Sequence, residues 1–62
     1  MTPADRDTLK ELLAHCQTTI HAYETRITAL RINDATDQAV VREQENRDRW
    51  ERWAKALAGL MQ

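Results

Sequence analysis

The two residue types that most often interrupt a helix occur only near the ends of this sequence. Its single proline is Pro3 and its single glycine is Gly59. Glycine and proline are the strongest local breakers of regular structure, so the residues between them must form helix, or turns made without glycine. The sequence therefore predicts an all-α fold.

A helix start signal stands at the beginning of the chain. The side chain of Thr2 can accept a hydrogen bond from the backbone N–H of Asp5, and proline at position 3 suits the first residue of a helix. The negative charge of Asp5 complements the positive end of the helix dipole. The first helix is therefore predicted to begin at about residue 3.

A second set of signals, near the middle of the chain, predicts a turn. Asn33 tolerates the left-handed conformation that ends many helices, and Asp34 or Thr36 can cap a new helix. One unbroken helix is the alternative, but stop and start signals coincide here and favour an antiparallel helical hairpin. We predict a single domain, 1–62, with a first helix at about 3–32, a turn at about 33–35 and a second helix at about 35–59.

Apolar residues in the first helix recur at alternating steps of four and three, the pattern of a coiled-coil stripe. The stripe consists of Leu9, Leu13, Cys16, Ile20, Tyr23, Ile27 and Leu30. A turn near residue 33 brings Ile27 beside Val40 and Leu9 beside Leu57. The predicted core seam comprises Leu9, Leu13, Cys16, Ile20, Ile27, Leu30, Val40 and Leu57.

The second helix interrupts its apolar stripe with Glu43, Asn46 and Arg47. These residues either form a polar network that fixes the register inside a bundle, or they face outward and receive a partner. We favour the second interpretation, because Ile20 and Tyr23 opposite them would then form an apolar patch that needs covering.

A chain of 62 residues and 7.2 kDa is small for independent stability. A domain of this size buries only about 60% of the surface of its unfolded chain. Its single cysteine excludes an internal disulfide, which leaves association as the remaining support. Two hairpins that pair as a four-helix-bundle homodimer are the simplest closed arrangement.

Charge and hydropathy exclude several functional classes. The net charge is −1 and the pI is near 6.0, which disfavours nucleic acid as a partner. No apolar run approaches the roughly 18 residues of a membrane-spanning helix, and the N-terminus is acidic, unlike a signal peptide. We expect a cytoplasmic protein without a membrane partner.

The sequence contains no set of nucleophilic, acid–base or metal-binding residues at a spacing that would bring their side chains together. Cys16 has His15 beside it and His21 five positions on, and neither spacing places two side chains on one face of a helix. A buried thiol within an apolar stripe behaves as a small hydrophobic group. We therefore predict no catalytic residue, no metal ligand, no cofactor and no enzymatic activity.

The segment from Arg47 to Trp53 carries the residue types that dominate protein interfaces. The alternative is that both tryptophans fill the bundle core, with Trp53 the better interface candidate of the two. The residues predicted to bind a partner are Tyr23, Arg42, Arg47, Arg49, Trp50 and Trp53.

In its length, two-helix plan and Asp-rich turn the chain is similar in outline to the plasmid-encoded Rop family of RNA-binding hairpin dimers. Type III secretion co-chaperones and small phage-encoded inhibitors are similar compact helical hairpins. We predict a non-enzymatic module that binds and inhibits or adapts a larger regulatory or secretion protein, as products of phages and mobile elements do. A Rop-like RNA or DNA binder is the first alternative, and a structural coiled-coil subunit is the second.

Overall fold

The protein is a hairpin of two helices. The computed structural model describes residues 2–61, in which α1 spans Pro3–Ile32 and α2 spans Asp37–Leu60. Arg6 Nη2, near the start of α1, donates to the carbonyl oxygen of Met61, just beyond the end of α2, at 3.4 Å. The helices are therefore antiparallel, and the predicted helical hairpin is confirmed. Met1 and Gln62, which the predicted domain includes, lie outside the described residues.

Side-chain caps determine where each helix begins. Thr2 Oγ1 accepts a hydrogen bond from the backbone N–H of Asp5 at 3.1 Å, and Pro3 occupies the first turn, as predicted. Thr36 Oγ1 accepts from the backbone N–H of Ala39 at 3.3 Å and so caps α2. Of the two predicted caps for the second helix, Thr36 is the one used, and α2 begins one residue after it.

The turn takes its left-handed residue at a different position from the one predicted. Asn33 has φ −91°, whereas Asp34 has φ 53°. The N–H of Ala35 donates to the carbonyl of Leu30 at 2.9 Å, and that of Asp34 to the carbonyl of Arg31 at 3.3 Å. This pair of bonds is the Schellman ending of a helix, which requires the left-handed residue one position after the cap. The prediction for Asn33 was therefore wrong by one residue.

The helices pack along two facing stripes. On α1 the stripe consists of the predicted seam residues of that helix. On α2 alternating steps of three and four give Val40, Glu43, Arg47, Trp50, Ala54 and Leu57, and the same steps reach Met61 just beyond the helix; all of these residues are half-buried. Within residues 2–61 only Cys16 and Ile27 are fully buried, at 5% and 4% exposure. The other predicted seam residues, Leu9, Leu13, Ile20, Leu30, Val40 and Leu57, are half-buried. The hairpin thus shields its apolar stripe incompletely.

The polar residues of α2 face α1. Arg26 Nη1 donates to Glu43 Oε2 across the hairpin at 3.1 Å, and the Glu43 side chain is only 16% exposed. Arg47 is half-buried on the same stripe, and its guanidinium binds Asp48 at 3.1 Å and approaches Glu51 at 3.8 Å. The interpretation that this part of α2 faces outward was therefore wrong. The Glu43 carboxylate pairs with the Arg26 guanidinium at the edge of the seam, so its charge has a partner although the side chain faces α1.

Candidate interaction groove

An apolar groove runs between the helices in the half of the hairpin away from the turn. It has a volume of about 410 Å³. We call it the groove, and it is lined by Leu12, His15, Cys16, Trp50, Trp53, Ala56 and Leu57. It is the most apolar of the surface depressions described for residues 2–61, and it is open to solvent.

The two tryptophans have different positions in the groove. The Trp50 ring meets the His15 ring edge to face, with ring centres 5.8 Å apart, and so packs against α1. The Trp53 ring lies 4.9 Å from that of Trp50, at 74°, and Trp53 is 48% exposed. Edge-to-face contacts of this kind restrain both rings. Trp50 is therefore part of the packed wall, and Trp53 is held in place with half of its surface uncovered.

Further exposed apolar side chains lie on the same side of the hairpin. Leu12 is 47% exposed on α1, across the groove from Trp53. Leu60 is also exposed and follows Trp53 by seven residues, so it lies two helical turns along the same strip of α2. Val41 is similarly exposed, but it lines a separate depression beside the turn, together with Val40 and Gln44. The groove side therefore concentrates uncovered apolar surface near the free ends of the helices.

A smaller depression continues the groove toward the turn. It has a volume of about 230 Å³ and is lined by Thr18, Thr19, Ala22, Tyr23 and Arg26. Steps of seven residues, which are about two helical turns, lead from Leu12 to Thr19 and on to Arg26, and from His15 to Ala22. Both depressions therefore lie on one side of α1. The smaller depression is lined by α1 residues alone. We call the two depressions, together with the neighbouring strip of α2 that carries Arg42, Arg49 and Trp53, the trough.

The residues predicted to bind a partner divide into two groups. Trp50 and Trp53 line the groove, while Arg42 and Arg49 are exposed on the strip of α2 that carries Trp53. Arg47 belongs instead to the stripe that faces α1.

Tyr23 also lies within the packing of the hairpin. It is half-buried, and the guanidinium carbon of Arg26 lies 5.3 Å from the centre of its ring. Truncation of Tyr23 would therefore remove a half-buried ring from the stripe of α1 that faces α2, so the residue separates binding from folding less cleanly than Trp53 does.

Sequence reasoning missed the residues that complete the groove. Leu12, His15 and Ala56 line it, and none of them was predicted to bind a partner. A detectable pattern exists, because Leu12 and His15 on α1, and Trp53 and Ala56 on α2, begin a second alternation of threes and fours beside the main seam. On α1, however, Leu12 is the one large aliphatic residue of this row, and the positions that follow it are small or polar, so the pattern is weak in a single sequence.

No group of three or more histidine, cysteine, aspartate or glutamate side chains in residues 2–61 is arranged to hold a metal ion. Neither α1 nor α2 contains an apolar stretch long enough to cross a membrane.

Comparisons with models of protein families, with curated proteins and with solved structures reveal no significant match to this chain.

Proposed function

We propose that this protein is a non-enzymatic binding module that acts stoichiometrically, as an inhibitor or adaptor of a larger regulatory or secretion protein. One observation carries the proposal. Trp53, restrained by Trp50 and half uncovered, faces Leu12 across a groove with an apolar lining.

The expected binding energy is concentrated at Trp53. A tryptophan presents about 150–250 Å² of surface, so covering the exposed half removes about 100 Å² from water. At about 25 cal/mol per Å², this contributes about 2.5 kcal/mol. Because the ring is already held by its neighbour, little side-chain entropy is lost when a partner covers it.

A second copy of the chain is the competing occupant of the groove. The incomplete burial of the hairpin, with two fully buried side chains among residues 2–61, favours the predicted four-helix-bundle homodimer. Self-pairing through the groove, however, offers the exposed Arg42 and Arg49 no carboxylate from the groove lining of the other copy, and a parallel pair of hairpins would bring these arginines close together. Like charges across an interface disfavour such pairing.

The proposal is tested with Trp53→Ala and the matched control Val41→Ala, which alters an equally exposed residue of α2 outside the groove. Circular dichroism first establishes that both variants keep the helicity of the wild type. A lysate protein that elutes in constant ratio with the wild type and Val41→Ala, but not with Trp53→Ala, supports the proposal. Equal retention by all three proteins, or equal loss with both variants, contradicts it.

Sedimentation equilibrium of the isolated chain then identifies the occupant. A monomer at micromolar concentration agrees with a foreign partner. A dimer that Trp53→Ala dissociates and Val41→Ala does not would instead assign the groove to a second copy.

A further inference from the structure

We propose that the occupant of the groove is an acidic amphipathic helix of the partner protein, a statement that rests on the function proposed above. The helix would lie lengthwise in the trough, with its apolar side chains near the free ends of α1 and α2. Its carboxylates would lie toward the turn, opposite Arg49 and Arg42.

The spacing of side chains along the trough favours a helix as the occupant. On α2 a second alternation of fours and threes runs beside the seam and consists of Arg42, Asn46, Arg49, Trp53, Ala56 and Leu60. On α1 the matching positions are Leu12, His15, Thr19, Ala22 and Arg26. Two parallel rows with this periodicity provide the holes into which side chains of a third helix pack.

The charge of the trough favours an acidic occupant. None of the residues in the two rows is a carboxylate. Arg26 is paired with Glu43, whereas Arg42 and Arg49 are exposed and form no ion pair with another residue in the range 2–61. A partner that supplies carboxylates here gains complementarity, which a second copy of this row cannot provide.

The positions of the arginines define what the partner must present. Arg49 precedes Trp53 by four residues and Arg42 precedes it by eleven. At a rise of 1.5 Å per residue, the arginines lie about 6 Å and about 16 Å from Trp53 along the axis. The partner therefore needs apolar side chains on about two turns, with a carboxylate about one turn and another about three turns farther along.

Selection from a displayed library tests this inference without knowledge of the natural partner. The library consists of helical peptides of about five turns whose surface positions are fully randomised, and the full-length hairpin is the bait. Two further baits are Trp53→Ala and the double charge reversal Arg42→Glu with Arg49→Glu. Each bait is first checked by circular dichroism for helicity equal to that of the wild type.

We expect the wild type to enrich peptides with aspartate or glutamate at the two spacings, next to an apolar stretch. Their affinity should fall about thirtyfold with Trp53→Ala, as for a hot-spot residue. The affinity should fall about tenfold with the charge reversal, because two exposed ion pairs between arginine and carboxylate are each replaced by a repulsive pair of carboxylates. The reversed bait should itself enrich lysine or arginine at the same two positions.

The outcomes distinguish this inference from the proposed function. Enrichment that depends on Trp53 but shows no acidic preference, or an affinity unchanged by the charge reversal, overturns the acidic helix and leaves the binding module standing. Failure to enrich any peptide above the Trp53→Ala bait overturns both.

Discussion

Replacement of Glu43 by leucine should stabilise the hairpin. The Glu43 side chain is 16% exposed and occupies a position of the stripe that packs mainly apolar groups against α1. Burial of a leucine side chain contributes about 1.5–3 kcal/mol, and most of that gain is available at this position. The lost ion pair with the exposed Arg26 is worth at most about 1 kcal/mol, and the helix propensities of the two residues are similar. The expected net gain is therefore about 1 kcal/mol.

The gain is large enough to measure in a protein of this size. A stabilisation of 1 kcal/mol raises the Tm of a small domain by about 4–8 °C. Urea and thermal unfolding are followed by far-ultraviolet circular dichroism, with all proteins at one concentration. Glu45→Leu is the control, because Glu45 is exposed two residues farther along α2. If Glu43→Leu is no more stable than the wild type, or if Glu45→Leu gains as much, the placement of Glu43 within the seam is refuted.

Further predictions concern the buried residues and the turn. Ile27→Ala should lose about 2–4 kcal/mol of unfolding free energy in urea, whereas Ile32→Ala, at a 75% exposed position, should change it by less than about 0.5 kcal/mol; equal effects would contradict the packing. Asp34→Val should lose about 1–2 kcal/mol, because a β-branched residue resists the left-handed φ, while Asp34→Gly should keep or raise the Tm. The thiol of Cys16 should react with an aromatic disulfide reagent much more slowly in buffer than in denaturing urea. Equal rates in the two solvents would show that Cys16 is accessible in the folded chain.

The hairpin itself was predictable from sequence because its determinants are local. Pro3 and Gly59 leave the interior to helix, and the alternation from Leu9 to Leu30 places one face of α1 against a partner helix. Thr2 and Thr36 cap helices through bonds to residues three positions away, a relation that sequence displays directly. Each of these features depends on residues close together in the chain.

Features that depend on contacts between the helices were harder to predict. The outward orientation predicted for Glu43 is wrong, and its partner Arg26 lies 17 residues away, so no pattern local to Glu43 indicates that pairing. The sequence indicates both Trp50 and Trp53 as candidates, but only the ring contacts and the exposure of Trp53 show which of them packs and which stays uncovered. Leu12, His15 and Ala56 are identified as groove residues only by the structure, because the groove depends on how the two helices are aligned.

The unequal sides of the hairpin also limit what it could build. The side away from the groove carries mixed charges, namely Asp7, Lys10, Asp48, Glu51 and Lys55. Val41 is also exposed outside the groove, but the depression that it lines is shared with Arg31, Asp34 and Asp37, whose charges stay hydrated. A hairpin that binds through the groove therefore holds one partner at a time, and attachment through this surface ends with a closed pair.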